Sequence, residues 1–298
     1  MTGRAARTLA QAKINLALRV LGKRPDGYHS IETVFLRLEF GDDVEIRTTR
    51  GEKSLRCYEM RDQPPEQNLA YRAAELYAAE TGYPKGFEIE IVKNIPMGGG
   101  LGGGSADAAA VLRILNTLSA TPVSKTALLE MAGRLGSDVP FLTSEYVMAM
   151  SWGRGERLLE LKRLPPREVE LFFPPFGVDT AQAYAMLDEA RAGHPAGEPE
   201  LTTEMFRDWD VAARHSSNDF EPVIRKRWPE IDALLSRLDR SGGFYRMSGS
   251  GSTVFKIAGP GLESARDSSN QIPLEIPDGV ERIFTRTAWS VVPVELLD

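Results

Sequence analysis

Apolar and polar side chains alternate over the first fifty residues in the way typical of β-strands. The alternation is clear over residues 16–20, and a Pro-Asp-Gly turn signal follows at residues 25–27. Residues 31–40 carry apolar side chains on both faces, which predicts a strand buried on both sides, and residues 44–46 continue the β pattern. We therefore expect the chain to begin with strands.

Helical spacing of apolar residues begins after Asn68, which we expect to cap a helix that ends at Gly82. Residues 87–92 alternate again and predict a half-exposed strand. Apolar stripes over residues 108–118 and 123–136 predict two further helices.

The second half of the chain follows a Gly/Arg-rich passage at residues 153–157, where we place a domain boundary. Just before it, Pro140 is expected to hold Val139 extended, because a proline restricts the residue that precedes it. The patterns of the second half predict a strand at 169–175, helices within 180–193 and 218–243, and a Gly/Ser turn between two strands at 246–259.

Composition excludes several classes of protein. The 298 residues include 36 Lys+Arg and 42 Asp+Glu, and this net charge of −6 argues against binding to nucleic acid or to an anionic membrane. A single cysteine, Cys57, excludes an intrachain disulfide framework, and three histidines make a histidine-built metal centre unexpected. The absence of an apolar stretch of about 18 residues predicts a cytoplasmic protein without a membrane span.

Six of the 27 glycines lie within seven consecutive positions, 98 to 104. The segment, which we call the glycine loop, consists of Pro96, Met97, Gly98, Gly99, Gly100, Leu101, Gly102, Gly103, Gly104 and Ser105. A glycine loop between a strand and a helix N-terminus forms an anion site, since unpaired backbone N–H groups and the helix dipole both face it. A flexible linker is the alternative. It is disfavoured because a patterned helix follows at once, with Ser105 as its expected N-cap and Asp107 in its first turn.

The loop fits neither of two common phosphate-binding motifs. Gly98, Gly100 and Gly103 match the spacing of a dinucleotide fingerprint, but a second helix follows where a parallel strand is required. A P-loop needs a lysine before the Ser or Thr, and here Gly104 precedes Ser105. The cation of this phosphate site must therefore come from elsewhere in the chain.

The segment PMGGGLGGGSADAA resembles the nucleotide-binding motif of the GHMP kinases, the family of galactokinase, homoserine kinase and mevalonate kinase. Further segments are similar to the signature segments of one branch of that family, and they lie at residues 12–35, 68–77, 136–142, 218–231 and 247–255. The resemblance is weaker over residues 156–215.

This resemblance implies a fold and a reaction. The implied fold is α/β (α+β), a two-domain GHMP kinase fold with a ribosomal-protein-S5-like nucleotide domain at 1–155 and a C-terminal α/β sandwich at 156–298. The implied reaction is transfer of a phosphoryl group from ATP to the tertiary 2-hydroxyl of a cytidine-diphosphate-linked methylerythritol, in the non-mevalonate isoprenoid pathway. The implied site lies in the cleft between the domains and uses Mg²⁺.

The resemblance also assigns the catalytic pair. Asp138 would accept the proton of the acceptor hydroxyl, and Lys13 would be the missing cation that stabilises negative charge. Asn15, on the same strand face as Lys13, would orient the acceptor or the phosphate. Taken without the resemblance, Asp138 could be a turn aspartate and Lys13 a strand-edge lysine.

Three residues are expected to form a cytidine pocket by the same resemblance. Tyr28 and Tyr184 would stack on the cytosine, and His29 would hydrogen-bond the edge of the base. Local packing is the alternative for each of them.

The remaining expected contacts belong to ATP and the metal. Ser105 could touch a phosphate or Mg²⁺, whereas a second hydroxyl of the family is replaced by Ala106. Asn68 and Lys93 fall where the family contacts adenine. Each has an alternative role, as a helix cap and as a solvated lysine at the end of a strand.

Two other functions stay open at this point. The chain could be another GHMP kinase, acting on mevalonate, homoserine or a sugar, although the Asp-Gly-Tyr-His segment favours an acceptor that carries a nucleotide. It could also be a catalytically silent nucleotide-binding regulator, although that protein would have no chemical need for both Lys13 and Asp138.

Overall fold

The structure is a computed structural model that describes residues 3–57, 64–192, 197–241, 243–259 and 276–298. Its strands are β1 (Ala5–Lys23), β2 (His29–Thr49), β3 (Lys53–Cys57), β4 (Gly86–Val92), β5 (Met148–Gly153), β6 (Arg157–Glu160), β7 (Glu168–Phe173), β8 (Phe244–Met247), β9 (Val254–Ile257), β10 (Glu281–Arg286) and β11 (Glu295–Leu297). Its α-helices are α1 (Leu69–Thr81), α2 (Gly103–Leu118), α3 (Lys125–Leu135), α4 (Val139–Thr143), α5 (Thr180–Ala190), α6 (Trp209–His215), α7 (Glu221–Arg227) and α8 (Pro229–Ser241).

Seven of the described strands form a large sheet in the order β11-β1-β2-β4-β3, with β5 attached to β2 and β6 attached to β5. The long strand β2 pairs with β5 over Ile31–Leu36 and with β4 over Asp43–Thr49, so it serves two neighbours in turn. The predicted strands at 31–40 and 44–46 are thus parts of one strand. The prediction of burial on both faces is confirmed over 31–38.

Helices α1 to α4 pack together beside this sheet. Helix α2 contacts β1 and β2 as well as the three other helices, and ten of its sixteen residues are buried. The Asn68 side chain accepts a hydrogen bond from the Ala70 N–H and caps α1, and Gly82 ends that helix in a left-handed conformation, as the sequence predicts.

The remaining four described strands form a small sheet in the order β10-β7-β9-β8. Alternate side chains of β7 point to opposite faces: Leu171 belongs to the core shared with the large sheet, and Phe172 packs in a second core with residues of α5, α7 and α8. The small sheet therefore lies between the large-sheet layer and those helices, in keeping with the expected GHMP kinase architecture.

Two local predictions are wrong. Val139 is the first residue of α4 rather than extended, because Pro140 lies in the first turn of the helix, where a missing N–H costs nothing. The single helix expected within 218–243 is two helices, α7 and α8, which meet at Trp228 and Pro229.

The boundary at residues 155 and 156 stays a prediction. Strands β6 and β11 lie beyond it in sequence and are nevertheless members of the large sheet. Among the described residues, no helix is long and apolar enough to cross a membrane.

Candidate active site

A cavity of about 940 Å³ opens where the large sheet, the helix layer and the small-sheet layer meet. One end is lined by the glycine loop and the other by Tyr28, His29 and Tyr184, with Lys13 and Asp138 also in the lining. A space of this size can hold two small molecules side by side.

The glycine loop has the backbone shape that required glycine. Gly98, Gly100 and Gly102 have φ angles of 70°, 76° and 73°, in the left-handed region that side chains with a Cβ disfavour. A Cβ on Gly100 would lie 2.1 Å from the backbone oxygen of Ser248, so the loop also approaches another segment closely. This finding argues against a flexible linker.

The loop leads directly into the N-terminus of α2. The helix starts at Gly103 with Gly102 as its N-cap, and no side chain caps it, so the expected capping role of Ser105 is wrong. Ser105 lies inside the first turn and lines the cavity. The first N–H groups of α2 are consequently left for a ligand, which suits an anion.

Lys13 supplies the cation that the glycine loop lacks. The side chain of Lys13 is 4% exposed, and its Nζ donates to Gly100 O at 3.0 Å and to Asn15 Oδ1 at 2.7 Å. The Asn15 Nδ2 in turn donates to Thr33 Oγ1, at 2.8 Å. Because Asn15 is held by Thr33, its amide oxygen faces Lys13, and it fixes the ammonium beside the loop.

Asp138 completes a charged pair with Lys13. Its Oδ2 lies 3.3 Å from Lys13 Nζ, and its side chain is 27% exposed. Asp138 is the N-cap residue of α4, whose other end is held by Arg37. The Arg37 Nη2 donates to Phe141 O at 2.7 Å and to Ser144 O at 2.9 Å, so a buried guanidinium of β2 anchors the helix that presents Asp138.

A second buried charge cluster lies beneath the loop. Lys93 Nζ contacts Asp42 Oδ2 and donates to Asp107 Oδ2 at 2.7 Å, and its side chain is 6% exposed. The solvated-lysine alternative for Lys93 is therefore wrong. The sequence predicts Asp107 in the first turn of α2, but it lies beyond that turn because the helix begins at Gly103. Burial raises the pKa of the Asp107 carboxyl to about 7, although the Lys93 ammonium acts in the opposite direction.

Aromatic side chains occupy the other end of the cavity. The His29 and Tyr184 rings are stacked with centroids 4.4 Å apart, and Tyr184 meets Phe220 edge to face. Tyr28 is 55% exposed. Burial raises the pKa of the Tyr184 phenol to about 12, with the Asp138 carboxylate as a second cause, so this hydroxyl keeps its proton.

Two side chains at this end were missed by the sequence prediction. Asp188 Oδ1 lies 2.8 Å from His29 Nε2, and the Arg154 guanidinium lies 5.0 Å from the centre of the Tyr28 ring. Asp188 follows Tyr184 by one helical turn of α5, so the spacing i, i+4 would have found it. Arg154 sits in the Gly/Arg-rich passage, which carried no chemical signal of its own.

Family models match both halves of this architecture. Residues 68–145 match the GHMP kinases N terminal domain, and residues 202–270 match the GHMP kinases C terminal model. The 4-diphosphocytidyl-2-C-methyl-D-erythritol kinase of Pelotomaculum thermopropionicum is 44% identical over 87% of this chain and 90% of its own length. The enzyme of the same name from Geobacillus thermodenitrificans is 38% identical over 83% of this chain and 86% of its own.

The chain belongs to the 4-diphosphocytidyl-2-C-methyl-D-erythritol kinase family of GHMP kinases.

Solved structures agree with this family. A crystal structure of 4-(cytidine 5'-diphospho)-2C-methyl-D-erythritol kinase has a TM-score of 0.73 and 33% identity, and the match covers 95% of this chain and 99% of that one. A homoserine kinase from Cytophaga hutchinsonii has a TM-score of 0.69 at 15% identity, with 98% and 97% covered, which shows the shared GHMP kinase fold alone. The chain is thus an enzyme of the kinase class.

Kinases of this family require a place for a triphosphate, and the described residues fit one. The left-handed glycines, the uncapped start of α2 and Lys13 together offer N–H donors and a positive charge. A metal cage is a different matter, since no group of three or more His, Cys, Asp or Glu residues that could hold an ion occurs among the described residues. Ser105 lies at the start of α2 and in the cavity lining, where its side chain offers a hydroxyl oxygen.

The predicted site residues lie together in one cavity. Lys13, Asn15, Asp138 and the glycine loop meet at one end, and Tyr28, His29 and Tyr184 line the other. Asn68 and Lys93 also line the cavity, but Asn68 caps α1 and the Lys93 ammonium is held by two carboxylates. Their contact with adenine stays a prediction, and for Lys93 the charged atom has other partners.

Proposed function

We propose that this chain transfers the γ-phosphoryl group of ATP to the 2-hydroxyl of 4-diphosphocytidyl-2-C-methyl-D-erythritol, with Asp138 as the base and Lys13 as its electrostatic partner. The observation that carries this proposal is the position of Lys13 Nζ, 3.3 Å from Asp138 Oδ2 and 3.0 Å from Gly100 O. An ion pair and a hydrogen bond thereby join the carboxylate, the ammonium and the glycine loop in one cluster.

The chemistry follows from these positions. The oxygen of the acceptor hydroxyl forms a bond to the γ-phosphorus while the bond from that phosphorus to the bridging oxygen of ADP breaks, and the hydroxyl proton passes to Asp138. Lys13 pairs with the Asp138 carboxylate and stabilises charge that spreads over the moving group. The N–H groups of the glycine loop and of α2 hold the rest of the triphosphate.

The cytidine end of the acceptor is assigned to Tyr28, His29 and Tyr184. One face of Tyr184 is already covered by His29, so an incoming base would stack on the exposed Tyr28 ring or displace His29. The Asp188 carboxylate accepts from His29 Nε2 and lines the cavity, so it offers an acceptor for the exocyclic amine of cytosine. This end of the cavity thus favours a base that carries an amine.

Magnesium is the ion we expect to accompany ATP. Ser105 is the residue that would hold it, since its hydroxyl lies in the first turn of α2 and in the cavity lining. When bound, the ion would neutralise phosphate charge. The proposal places this reaction in the isoprenoid pathway and in the reducing cytoplasm, where a chain whose one cysteine is Cys57 needs no disulfide.

A coupled assay of ADP release tests the substrate. The purified chain would be given ATP with 4-diphosphocytidyl-2-C-methyl-D-erythritol, mevalonate, homoserine or galactose in turn. Turnover with the cytidine compound is expected. Turnover with one of the others alone would reassign the chain within the GHMP kinases, and ATP binding without turnover on any acceptor would favour a silent regulator.

The variant Asp138→Asn tests the base. It should keep its affinity for ATP and lose at least about 10²-fold in kcat, because the amide cannot take the proton. Asp210→Asn makes the same chemical change at an exposed position of α6 and should leave kcat unchanged. An unchanged kcat in Asp138→Asn would remove Asp138 from this role.

A further inference from the structure

The segment 216–219 crosses from the helix layer of the small sheet to strand β1, and Asn218 is buried at its centre. The family resemblance includes residues 218–231, but it assigns no role to Asn218. Asn218 is 6% exposed, and both polar atoms of its side-chain amide make hydrogen bonds. Its Nδ2 donates to Met247 O at 2.7 Å and to Gly249 O at 2.8 Å, and its Oδ1 accepts from Phe220 N at 2.9 Å.

Of the two carbonyls that Asn218 holds, that of Met247 ends β8 and that of Gly249 lies in the turn between β8 and β9. In that turn Gly251 N donates to Ser248 O at 3.0 Å, and Gly249 and Gly251 have φ angles of 59° and 92°. Residues 248–251 are named here the serine turn. Asn218 Nδ2 bridges the carbonyls on either side of Ser248, so it fixes the orientation of that residue.

The serine turn reaches the catalytic cluster through Ser248. The Ser248 Oγ donates to Gly100 O at 2.9 Å, and this same oxygen accepts from Lys13 Nζ at 3.0 Å. A Cβ on Gly249 would lie 3.6 Å from Lys13 Nζ, which shows how close the turn comes to the ammonium. The Gly100 carbonyl is thus the point at which the turn, the glycine loop and Lys13 meet.

The other side of the segment is bonded to the strand that carries Lys13. Leu18 N donates to Ser217 O at 2.8 Å, and Asp219 N donates to Leu18 O at 3.0 Å. Ser216 Oγ donates to Leu16 O at 2.5 Å. These bonds tie the backbone around Asn218 to β1 only a few residues beyond Lys13 and Asn15.

We propose that Asn218 is a positioning residue for phosphoryl transfer, which sets the serine turn against Gly100 and Lys13 from a fixed point on β1. It touches neither reactant. Its effect passes through the two carbonyls that flank Ser248, and from Ser248 to the oxygen shared with Lys13. The inference rests on the proposed phosphoryl transfer, but it does not depend on which acceptor is used.

The main test compares Asn218→Asp with Ser248→Ala and with the double variant. Asn218→Asp replaces two N–H donors with a carboxylate that repels both carbonyls, and we expect kcat to fall about 10²-fold because a catalytic group is displaced by about 1 Å. Ser248→Ala should lower kcat by about tenfold. The double variant should be no slower than Asn218→Asp, since both changes act through the same contact.

Asn116→Asp is the matched control. Asn116 also donates to a backbone carbonyl, that of Val123, and accepts from a backbone N–H, but it lies outside the cavity lining. The control should lose stability and keep kcat. The stoichiometry of ADP binding by calorimetry should stay near one per chain in every variant, which separates a displaced site from a loss of folded protein.

The results would overturn the proposal if the losses in kcat multiplied in the double variant, or if Asn218→Asp slowed the enzyme no more than Asn116→Asp. Should Asn218→Asp fail to fold, Asn218→Ser replaces it, since serine keeps one hydrogen-bond donor. Asn218→Ser is then compared with Ser248→Ala and with the double variant in the same way. Wild-type protein without turnover would instead count against the proposed function. The single and double variants would then be compared by their Kd for ADP. The changes in Kd should again fail to multiply, because Gly100 lies in the glycine loop.

Discussion

The Lys13 ammonium and the Asp138 carboxylate lie 3.3 Å apart, although Lys13 belongs to strand β1 and Asp138 is the N-cap residue of helix α4. Each is held by its own support, Lys13 by Asn15 and α4 by Arg37. A pair that is fixed from both sides needs little rearrangement when charge develops beside it.

Replacement of Lys13 by methionine should separate its charge from its packing. The stem of Lys13 is buried and its Nζ lies 5.4 Å from the centre of the Phe35 ring, so Met fills similar space. We expect kcat to fall at least about 10²-fold in Lys13→Met with little change in unfolding temperature. Lys125→Met, at an exposed ion pair of α3, should keep kcat; an equal loss there would show a general effect of charge.

Two glycines with the same backbone conformation allow the close approach of the loop to be tested alone. Gly100 and Gly82 have φ angles of 76° and 73°, but a Cβ would meet Ser248 O at 2.1 Å in the first and nothing within 4 Å in the second. Gly82→Ala should lose about 1–2 kcal/mol of stability from its left-handed backbone alone, and Gly100→Ala should lose more because its Cβ would also clash with Ser248 O. Only Gly100→Ala should also lose kcat, by tenfold or more, and similar kinetics in the two variants would contradict the role of the contact.

The aromatic end of the cavity should govern affinity for the acceptor. A base that displaces His29 would stack on Tyr184, and Tyr184→Ala then removes stacking worth about 1–3 kcal/mol. The KM for the cytidine compound should rise roughly 5- to 150-fold while the KM for ATP holds. Tyr184→Phe keeps the ring and should stay near the wild-type KM. A rise in Tyr184→Phe as large as that in Tyr184→Ala would assign the effect to the hydroxyl instead.

Asp107 should make stability depend on pH. Burial raises the pKa of its carboxyl from 3.8 to about 7, so the folded state holds the proton more tightly than the unfolded chain does. The contribution of Asp107 to stability is then greatest below about pH 4 and is lost as the pH rises towards 7. Asn at this position cannot titrate and should remove that fall.

Urea unfolding of wild type and Asp107→Asn at several pH values measures this difference. Asp43→Asn, an exposed carboxylate near Asp42, serves as the control and should follow the wild type. If the stability of wild type and of Asp107→Asn changed equally with pH, Lys93 would be keeping Asp107 ionised throughout. That result would contradict the raised pKa of Asp107.

Local patterns predicted most elements because their causes are local. Helix α1 begins after Asn68 and ends at Gly82, as the capping chemistry of these two residues requires. The left-handed φ angles in the glycine loop explain why glycines are clustered there. The Pro140 prediction failed for a local reason as well, since a proline is tolerated in the first helical turn. The split of α7 from α8 depended on Pro229, a signal that the sequence offered.

Partners far apart in sequence could not be predicted from patterns. The ion pairs of Lys93 with Asp42 and Asp107 form where the end of β4, the middle of β2 and helix α2 converge, and the sequence spacing of these residues does not indicate it. The pairing of Lys13 with Asp138 came from the family resemblance. Asn218 was visible only as part of a matching segment, because its role depends on two carbonyls of another turn.

Strand β11 pairs with Ala5, Ala6 and Arg7 of β1, which is the strand that also carries Lys13. Ala6 of β1 pairs with Leu296 of β11, so this contact closes a loop of about 290 residues. Closing so long a loop costs chain entropy, which favours late formation of the contact during folding. One edge of the sheet that carries Lys13 therefore depends on long-range pairing and not on a local hairpin.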